Sequence, residues 1–190
     1  MYIKNLALMN YRNYESAKIT FSEGINILYG DNAQGKTNIL EAIFVAGTTK
    51  SHRGSKDREI IRFGEDEGHI RADIRKNDMN RRIDMHLKRN KTKGIAIDMV
   101  PIHRSSELLG TMNMVFFSPE DLSIIKDSPS ERRNFMDMEL CQLDKIYISN
   151  LTNYKKVLEQ RNNLLKQISF DRSKADMLSV WDAQLLKYGI

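Results

Sequence analysis

The feature that most constrains this chain is a glycine-containing loop that lies between an apolar run and a segment with helical spacing. The loop reads Gly30-Asp31-Asn32-Ala33-Gln34-Gly35-Lys36-Thr37. It fits the pattern of a phosphate-binding loop, in which a glycine, four further residues, a second glycine and a lysine precede serine or threonine. Because strand, loop and helix follow in the order that such a loop needs, we predict a nucleotide-binding α/β fold.

Each residue type in the loop has a physical role. Glycine at position 35 lets backbone amides approach phosphate oxygens closely, and the helix that follows adds its positive end. Lys36 supplies a positive charge to the β and γ phosphates and is the candidate catalytic residue, while the Thr37 hydroxyl is placed to coordinate Mg²⁺. The predicted nucleotide-binding residues of this segment are Gly30, Asp31, Asn32, Ala33, Gln34, Gly35, Lys36, Thr37 and Asn38.

Alternating apolar and polar residues predict strands on both sides of the loop. The helix after Gly35 is expected to end near Gly47. The charged, alternating segments beyond it are typical of an antiparallel sheet, whereas 25–29 is a short apolar run typical of a buried strand. The predicted strands lie at residues 2–11, 17–21, 25–29, 69–75, 82–87, 95–100 and 112–117.

The sequence changes character after residue 117. Ser118-Pro119 and Ser128-Pro129 each place a capping serine before a proline, which is a typical helix start. Apolar residues then recur at spacings of three and four, which predicts an antiparallel helical hairpin. We therefore expect a nucleotide-binding lobe over 1–117 and a helical arm over 118–190, truncated at its C-terminus because the pattern is still in phase at the last residue.

Composition is that of a soluble globular chain. Apolar residues make up 41% and charged residues 29% of the 190 residues, and the net charge of +5 suits an anionic partner such as nucleic acid. The single cysteine, Cys141, excludes an internal disulfide. Because no apolar run reaches 18 residues and no signal peptide is recognisable, we expect a cytoplasmic location and no membrane partner.

Five segments resemble the RecF family, and they occur in the order seen there: NYRNYESAKITF, GINILYGDNAQGKTNILEAI, KSHRG, FFSPEDL and SPSERRNFMD. RecF proteins are similar to the head domains of SMC-type ABC ATPases. The resemblance implies an ABC-type ATPase head lobe, with a mixed sheet, the loop helix and antiparallel strands, joined to a helical-hairpin arm.

The resemblance also implies a function. Such proteins bind ATP with Mg²⁺, bind DNA in an ATP-dependent manner and act in replication-linked repair, recombination and the SOS response. Two heads of the full-length protein form a homodimer around nucleotide, and RecR is the implied partner protein. Single-stranded, duplex and gapped DNA stay open as the substrate, with gapped DNA suggested by the family.

Three residues outside the loop are carried over from the family as nucleotide contacts. Arg12 and Asn13 lie in the NYRNY segment, which in such heads lies near the nucleotide; a solvated strand end is the alternative. Arg53 in KSHRG corresponds to an arginine that senses nucleotide or DNA, and His52 beside it is expected to be a local structural partner.

The chain departs from the family pattern at the residues needed for hydrolysis. The nearest match to a Walker B strand is 94–98, but Met99 stands where a catalytic glutamate is expected, so Asp98 is better explained as an exposed sheet residue. No signature motif is recognisable, and no glutamine occurs in 116–122. We therefore expect ATP binding with little or no hydrolysis.

Basic residues crowd two strands and a turn, where clustered cations can neutralise DNA phosphates. The alternative is a solvated sheet edge that prevents strand pairing. A structural role at the start of the arm is expected for Arg132, Arg133 and Asp137. The DNA-binding candidates are Arg81, Arg82, Lys88, Arg89, Lys91 and Lys93, with Lys155, Lys156 and Arg161 on the arm.

Other phosphate-binding-loop proteins remain as alternatives. A small-molecule kinase would require a parallel sheet, and the charged alternating segments argue against one. An SMC-type structural head or a transporter ATPase is the third possibility. The short arm argues against the former, and no membrane-coupling feature supports the latter.

Overall fold

The structure is a computed structural model that describes residues 1–118 and 128–189. It divides into two compact units, Met1–Phe116 and Phe117–Ile190. Among the described helices, none has the length and apolar character that crossing a bilayer requires.

The first unit is built on an antiparallel sheet of six strands. Its two central strands alternate strictly, so that Ile70 and Ile83 point to a buried face, which Leu6 shares, and most polar residues point to the opposite, polar face. The strands are β1 (Tyr2–Tyr11), β2 (Tyr14–Thr20), β3 (Glu67–Lys76), β4 (Met79–Lys88), β5 (Gly94–Ile97) and β6 (Val100–Ile102). They pair in the order β2-β1-β3-β4-β5-β6.

Helix α1 (Lys36–Thr48) covers the buried face of this sheet and contacts β3 and β4. Ile39, Ala42 and Val45 recur at helical spacing and join the same apolar cluster as the buried strand residues. A short helix, α2 (Asp57–Ile60), follows. Burial of this helical stripe fixes the start of α1, and with it the predicted phosphate-binding loop.

Two predicted strands are not formed among the described residues. In 25–29, the side chains of Ile25, Ile27 and Tyr29 are 89%, 77% and 91% exposed, and 112–117 is likewise without regular structure. A strand forms only where another strand pairs with its backbone, and the described residues supply no such partner for either segment. The described sheet is therefore antiparallel throughout.

The prediction of one strand over 95–100 was wrong. Asp98 and Met99 both take positive φ angles, of 51° and 67°, and form a two-residue turn between β5 and β6. Such a turn matches the twist of an antiparallel hairpin, so the segment folds back on itself.

The second unit contains α3 (Pro129–Leu143), α4 (Lys145–Ile168) and α5 (Leu178–Gly189), with a 3-10 turn at Arg172–Met177. Arg161 pairs with Asp182 at 2.6 Å, and a Cβ at Gly189 would lie 3.2 Å from the ring of Tyr154. Earlier residues of α4 thus meet later residues of α5, which makes the two helices the antiparallel hairpin that was predicted. The predicted helix start at Pro119 lies outside the described residues.

Candidate nucleotide-binding site

The predicted loop adopts backbone angles that favour glycine. Gly30 and Gly35 have φ angles of 137° and 97°, and Ala33 between them has 64°. Residues with a side chain rarely take these left-handed angles, so the two glycines allow the chain to curl back towards α1. Gly35 itself stands at the N-cap position, directly before Lys36.

The turn between β1 and β2 packs against this loop. A Cβ at Gly35 would lie 2.6 Å from Tyr14 Oη and 2.7 Å from Asn13 Oδ1, so the close contact requires glycine. Tyr14 Oη and Asn13 Nδ2 also donate hydrogen bonds to the Gln34 carbonyl, at 3.3 Å and 3.4 Å. The loop is therefore held in shape by side chains from an element distant in sequence.

The start of α1 concentrates positive charge at the loop. Lys36 Nζ donates to the carbonyl oxygens of Gly30 at 2.7 Å and Asp31 at 2.6 Å. The first turn of α1 contains no acidic residue, so its free amides keep their partial positive charge. Thr37, in the same turn, is exposed. An amine, free amides and a hydroxyl in one helical turn suit an anion that carries a hard cation, such as a nucleotide phosphate with Mg²⁺.

Arg12, the first of the predicted nucleotide contacts outside the loop, binds a carboxylate of α1. It has a positive φ of 51° in the β1–β2 turn, and its guanidinium donates to both carboxylate oxygens of Glu41, at 2.8 Å and 2.6 Å. Two more hydrogen bonds, to Ser55 Oγ and the Glu59 carbonyl, are each 2.8 Å long. Arg12 is thus held by the buried side of α1, and none of these bonds involves the loop.

Glu41 is a fully buried carboxylate that sequence reasoning missed. Burial alone would raise its pKa, but hydrogen bonds from Arg12 and Ser51, and the charges of Arg12 and Arg53, outweigh burial and hold the pKa below its ordinary value. Glu41 is therefore ionised near neutral pH. The sequence did contain a sign of this buried acid. Glu41 lies one helical turn before Val45, on the apolar face of α1, and a charged side chain on a buried face requires a partner of opposite charge.

Three of the predicted nucleotide contacts form one chain of hydrogen bonds beside the loop. Arg53 Nη1 donates to Asn38 Oδ1 at 3.2 Å, and Asn38 Nδ2 donates to Asn13 Oδ1 at 2.9 Å. Asn13 in turn reaches the Gln34 carbonyl. Because Arg53 also lies 4.0 Å from Glu41, this chain connects the loop to the buried carboxylate.

The sequence profile described as "AAA domain" matches residues 5–184, which is most of the chain. The chain belongs to the AAA domain family. The match extends well beyond the loop and into the helical arm.

This AAA domain is 65% identical over 189 residues to the DNA replication and repair protein RecF of Lachnoclostridium phytofermentans, a match that covers 100% of the chain and 52% of that protein. Its structure is similar to that of "the recombination mediator protein RecF-ATP in RecFOR pathway", with a TM-score of 0.93 and 39% identity over 99% of this chain and 51% of the other. A structure of SMC ATPases aligns with a TM-score of 0.58 at 22% identity over 73% of this chain and 99% of the other, which shows the fold alone.

These comparisons confirm two predictions. The chain matches the N-terminal half of RecF proteins, and its fold is the α/β head fold shared by RecF and SMC ABC ATPases. The AAA domain spans about half the length of the curated relatives that it matches, 52% in the first of them.

Most of the basic residues predicted to contact DNA are engaged with acids in this AAA domain. Among the described residues, no acid forms an ion pair with Lys88, Lys91 or, on the arm, Lys156. On the arm, Lys155 pairs with Asp137 at 3.1 Å. The ion pairs of the other paired candidates are Arg81 with Asp98 at 2.8 Å, Arg82 with Asp73 at 3.0 Å, Arg89 with Asp66 at 3.4 Å, Lys93 with Asp57 at 2.8 Å and, on the arm, Arg161 with Asp182 at 2.6 Å.

The Walker B-like segment of the AAA domain ends in a sheet turn. Asp98 accepts a hydrogen bond from the Arg82 amide at 2.8 Å and forms its ion pair with Arg81. Its carboxylate links the β5–β6 turn to β4, in agreement with the interpretation of Asp98 as an exposed sheet residue. Most of the FFSPEDL segment, from residue 119 onwards, lies outside the described residues.

Proposed function

We propose that this chain is the ATP-binding part of a RecF-like protein of DNA repair and recombination. The observation that carries the proposal is the anion-binding loop, in which Gly35 is fixed by Tyr14 and Asn13 and Lys36 leads into α1. A structure of RecF with ATP is similar to this chain over nearly its whole length, which supports ATP as the ligand.

In this proposal the phosphates lie over the first turn of α1. Lys36 Nζ has three protons and donates to two carbonyl oxygens in this structure. By rotation of its side chain it would exchange one or more of these carbonyl partners for phosphate oxygens, with no movement of the backbone. The exposed Thr37 hydroxyl holds Mg²⁺, which neutralises phosphate charge. Asn13, Asn38 and Arg53 line the side of the loop and would contact the nucleotide there.

We infer that the chain hydrolyses bound ATP weakly or not at all. Phosphoryl transfer needs an acid that holds the metal and a group that orients water. The nearest sequence match, Asp98, lies in a sheet turn. Its carboxylate binds the side chain of Arg81 and the backbone amide of Arg82. In the full-length relatives, dimerisation of two heads around nucleotide would bring further groups to the site.

The action on DNA and the assembly with other proteins are further parts of the proposal. ATP-bound heads would bind single-stranded, duplex or gapped DNA, with RecR as partner, in replication-linked repair and the SOS response in the cytoplasm. Within the first unit, Lys88 and Lys91 are the best-supported DNA contacts, because neither forms an ion pair among the described residues.

The kinase alternative has no support from the structure. A small-molecule kinase would place its loop at the end of a parallel sheet, whereas every described strand pair is antiparallel. The SMC-type structural head is supported by the fold only.

Titration with a fluorescent ATP analogue in the presence of Mg²⁺ tests the nucleotide site, with ATP, ADP and GTP as competitors. The variants are Lys36→Ala and, as control, Lys145→Ala, which removes an exposed lysine at the start of α4. A hydrogen bond to a charged group contributes about 1.5–3 kcal/mol, so we expect Lys36→Ala to weaken binding by about 10-fold or more. Equal affinity in both variants would contradict the proposal.

The salt dependence of DNA binding tests Lys88 and Lys91. Each neutralised phosphate contributes about −0.9 to the slope of log K against log salt, so the double alanine variant should reduce the slope by about 2. Arg82→Ala is the control, because this arginine is paired with Asp73 and should leave the slope unchanged. Fluorescence anisotropy of a labelled duplex measures the slope, and a loss in Arg82→Ala as large as in the double variant would refute the assignment.

A further inference from the structure

Glu67, His69 and His86 form a compact cluster on the polar face of the sheet. One ligand atom from each residue lies within 4.8 Å of the other two. Both histidines are half-buried, and Glu67 is exposed. The nucleotide site uses none of these residues.

The sheet register brings the three side chains together. His69 of β3 and His86 of β4 are directly opposite in the antiparallel pairing, and Glu67 lies two residues before His69 on the same face. The imidazole rings are stacked, with centroids 4.2 Å apart and planes 18° apart. His86 Nε2 lies 2.7 Å from Glu67 Oε2. Strand pairing in the middle of the sheet thus fixes the backbones of all three residues.

The donor set has the chemistry of a transition-metal site. Two imidazole nitrogens and one carboxylate oxygen are ligands that Zn²⁺ binds with about 2.0–2.2 Å bonds, which puts neighbouring ligand atoms about 3.3 Å apart in a tetrahedron. The observed separations, up to 4.8 Å, can close to this value by rotation of partly exposed side chains. Three protein ligands leave one position for water.

The surroundings leave room for a hydrated ion. A groove of about 600 Å³ runs along the polar face beside the histidines, and small residues such as Ala7 and Ala96 line it. The next row of the face on one side carries Arg71 and Asp84, which pair with each other at 2.6 Å. On the other side, Lys88 lies opposite Glu67 on β4 and forms no ion pair with it within 4.0 Å, so the carboxylate is available as a ligand.

We propose that Glu67, His69 and His86 bind Zn²⁺ or a similar divalent transition-metal ion. The ion joins β3 to β4 across the centre of the sheet, at a site separate from the Mg²⁺ position at Thr37. Because the metal binds the folded sheet, where the three ligands converge, it stabilises the first unit against unfolding.

Metal titration of the untagged, chelator-treated chain without nucleotide tests this proposal. We expect one equivalent of Co²⁺ to give the visible absorption of a low-symmetry site and Zn²⁺ to displace it. His86→Ala and Glu67→Gln each remove one ligand from a partly exposed position and should weaken Zn²⁺ binding by about 10-fold or more. The control is His103→Ala, which removes an exposed histidine outside the cluster.

Thermal unfolding with and without Zn²⁺ gives a second readout. The ion should raise the midpoint of the wild type and of His103→Ala, but not that of His86→Ala, with circular dichroism confirming that all variants are folded. Absence of stoichiometric binding by the wild type would overturn the proposal. Equal Zn²⁺ affinity in wild type and both ligand variants would overturn it as well.

Discussion

Replacing Arg12 with alanine tests whether its ion pair with Glu41 holds the β1–β2 turn on α1. Removing one partner of a buried ion pair costs about 3–5 kcal/mol, because the other charge stays buried without compensation. The Glu41 side chain is 0% exposed and that of Arg12 is 19% exposed, so solvent screens the pair in part. Ser51 also continues to donate to the carboxylate. We therefore expect Arg12→Ala to lower the free energy of unfolding by about 2–3 kcal/mol.

Urea unfolding at pH 7, followed by far-ultraviolet circular dichroism, measures this change. With a slope of about 2 kcal/mol per molar urea, the midpoint should fall by about 1–1.5 M. Arg71→Ala is the matched control, since Arg71 also forms a short ion pair, with Asp84 at 2.6 Å, but is 53% exposed. Exposed pairs contribute about 0–1 kcal/mol, so its midpoint should fall by less than about 0.5 M. Equal losses in the two variants would refute the argument from burial.

Two further predictions concern the pH dependence of stability and the loop. The pKa of Glu41 is lowered in the folded state, so its ion pair contributes fully above the ordinary carboxyl pKa of about 4.3, and this contribution is lost as pH falls below that value. The difference in unfolding free energy between wild type and Arg12→Ala should therefore be smaller in acid. Urea unfolding of both proteins at pH 3 and pH 7 measures this difference. If the difference is the same at both pH values, the charge of the Glu41 carboxylate is not its source. Gly35→Ala should abolish binding of the ATP analogue, because its Cβ would collide with neighbouring side chains, whereas Gly54→Ala, at a similar positive φ but with open space around it, should preserve binding.

The parts of the fold that sequence predicted well are those with a local cause. The loop pattern fixed the start of α1 at Gly35, and helical spacing placed its end within a residue or two of Thr48. Strands β1, β3 and β4 each bury one face, so their alternation could be read directly.

The predictions that differ from the structure depended on partners distant in sequence. The apolar runs 25–29 and 112–117 have the composition of strands, but a strand forms only where another strand pairs with it. The run 95–100 was divided by a turn at Asp98 and Met99, whose positive φ angles are visible only in the folded chain. Apolar composition therefore identifies a segment that can be buried, without identifying what covers it.

The same distinction applies to charged residues. Counting cations predicted a basic surface, yet register sets Arg82 beside Asp73, and the β5–β6 turn sets Asp98 beside Arg81. Arg12 likewise lies 29 residues before its partner Glu41. Sequence gives the number of charges, whereas strand pairing and helix packing decide which of them are neutralised.

The β1–β2 turn is fixed to α1 at two points, and this arrangement gives Arg12 an indirect role in nucleotide binding. Asn13 and Tyr14 contact the loop at Gly35, while Arg12 holds Glu41, six residues and about 9 Å further along the helix axis. Without the second anchor the turn would loosen from the loop that it shapes. Arg12→Ala should therefore weaken nucleotide binding although none of its hydrogen bonds involves the loop. A positioning role weakens ATP and ADP binding by the same factor, because the loop holds the phosphates common to both. A selective loss for ATP, measured by competition against the fluorescent analogue, would instead show that Arg12 contacts the γ phosphate.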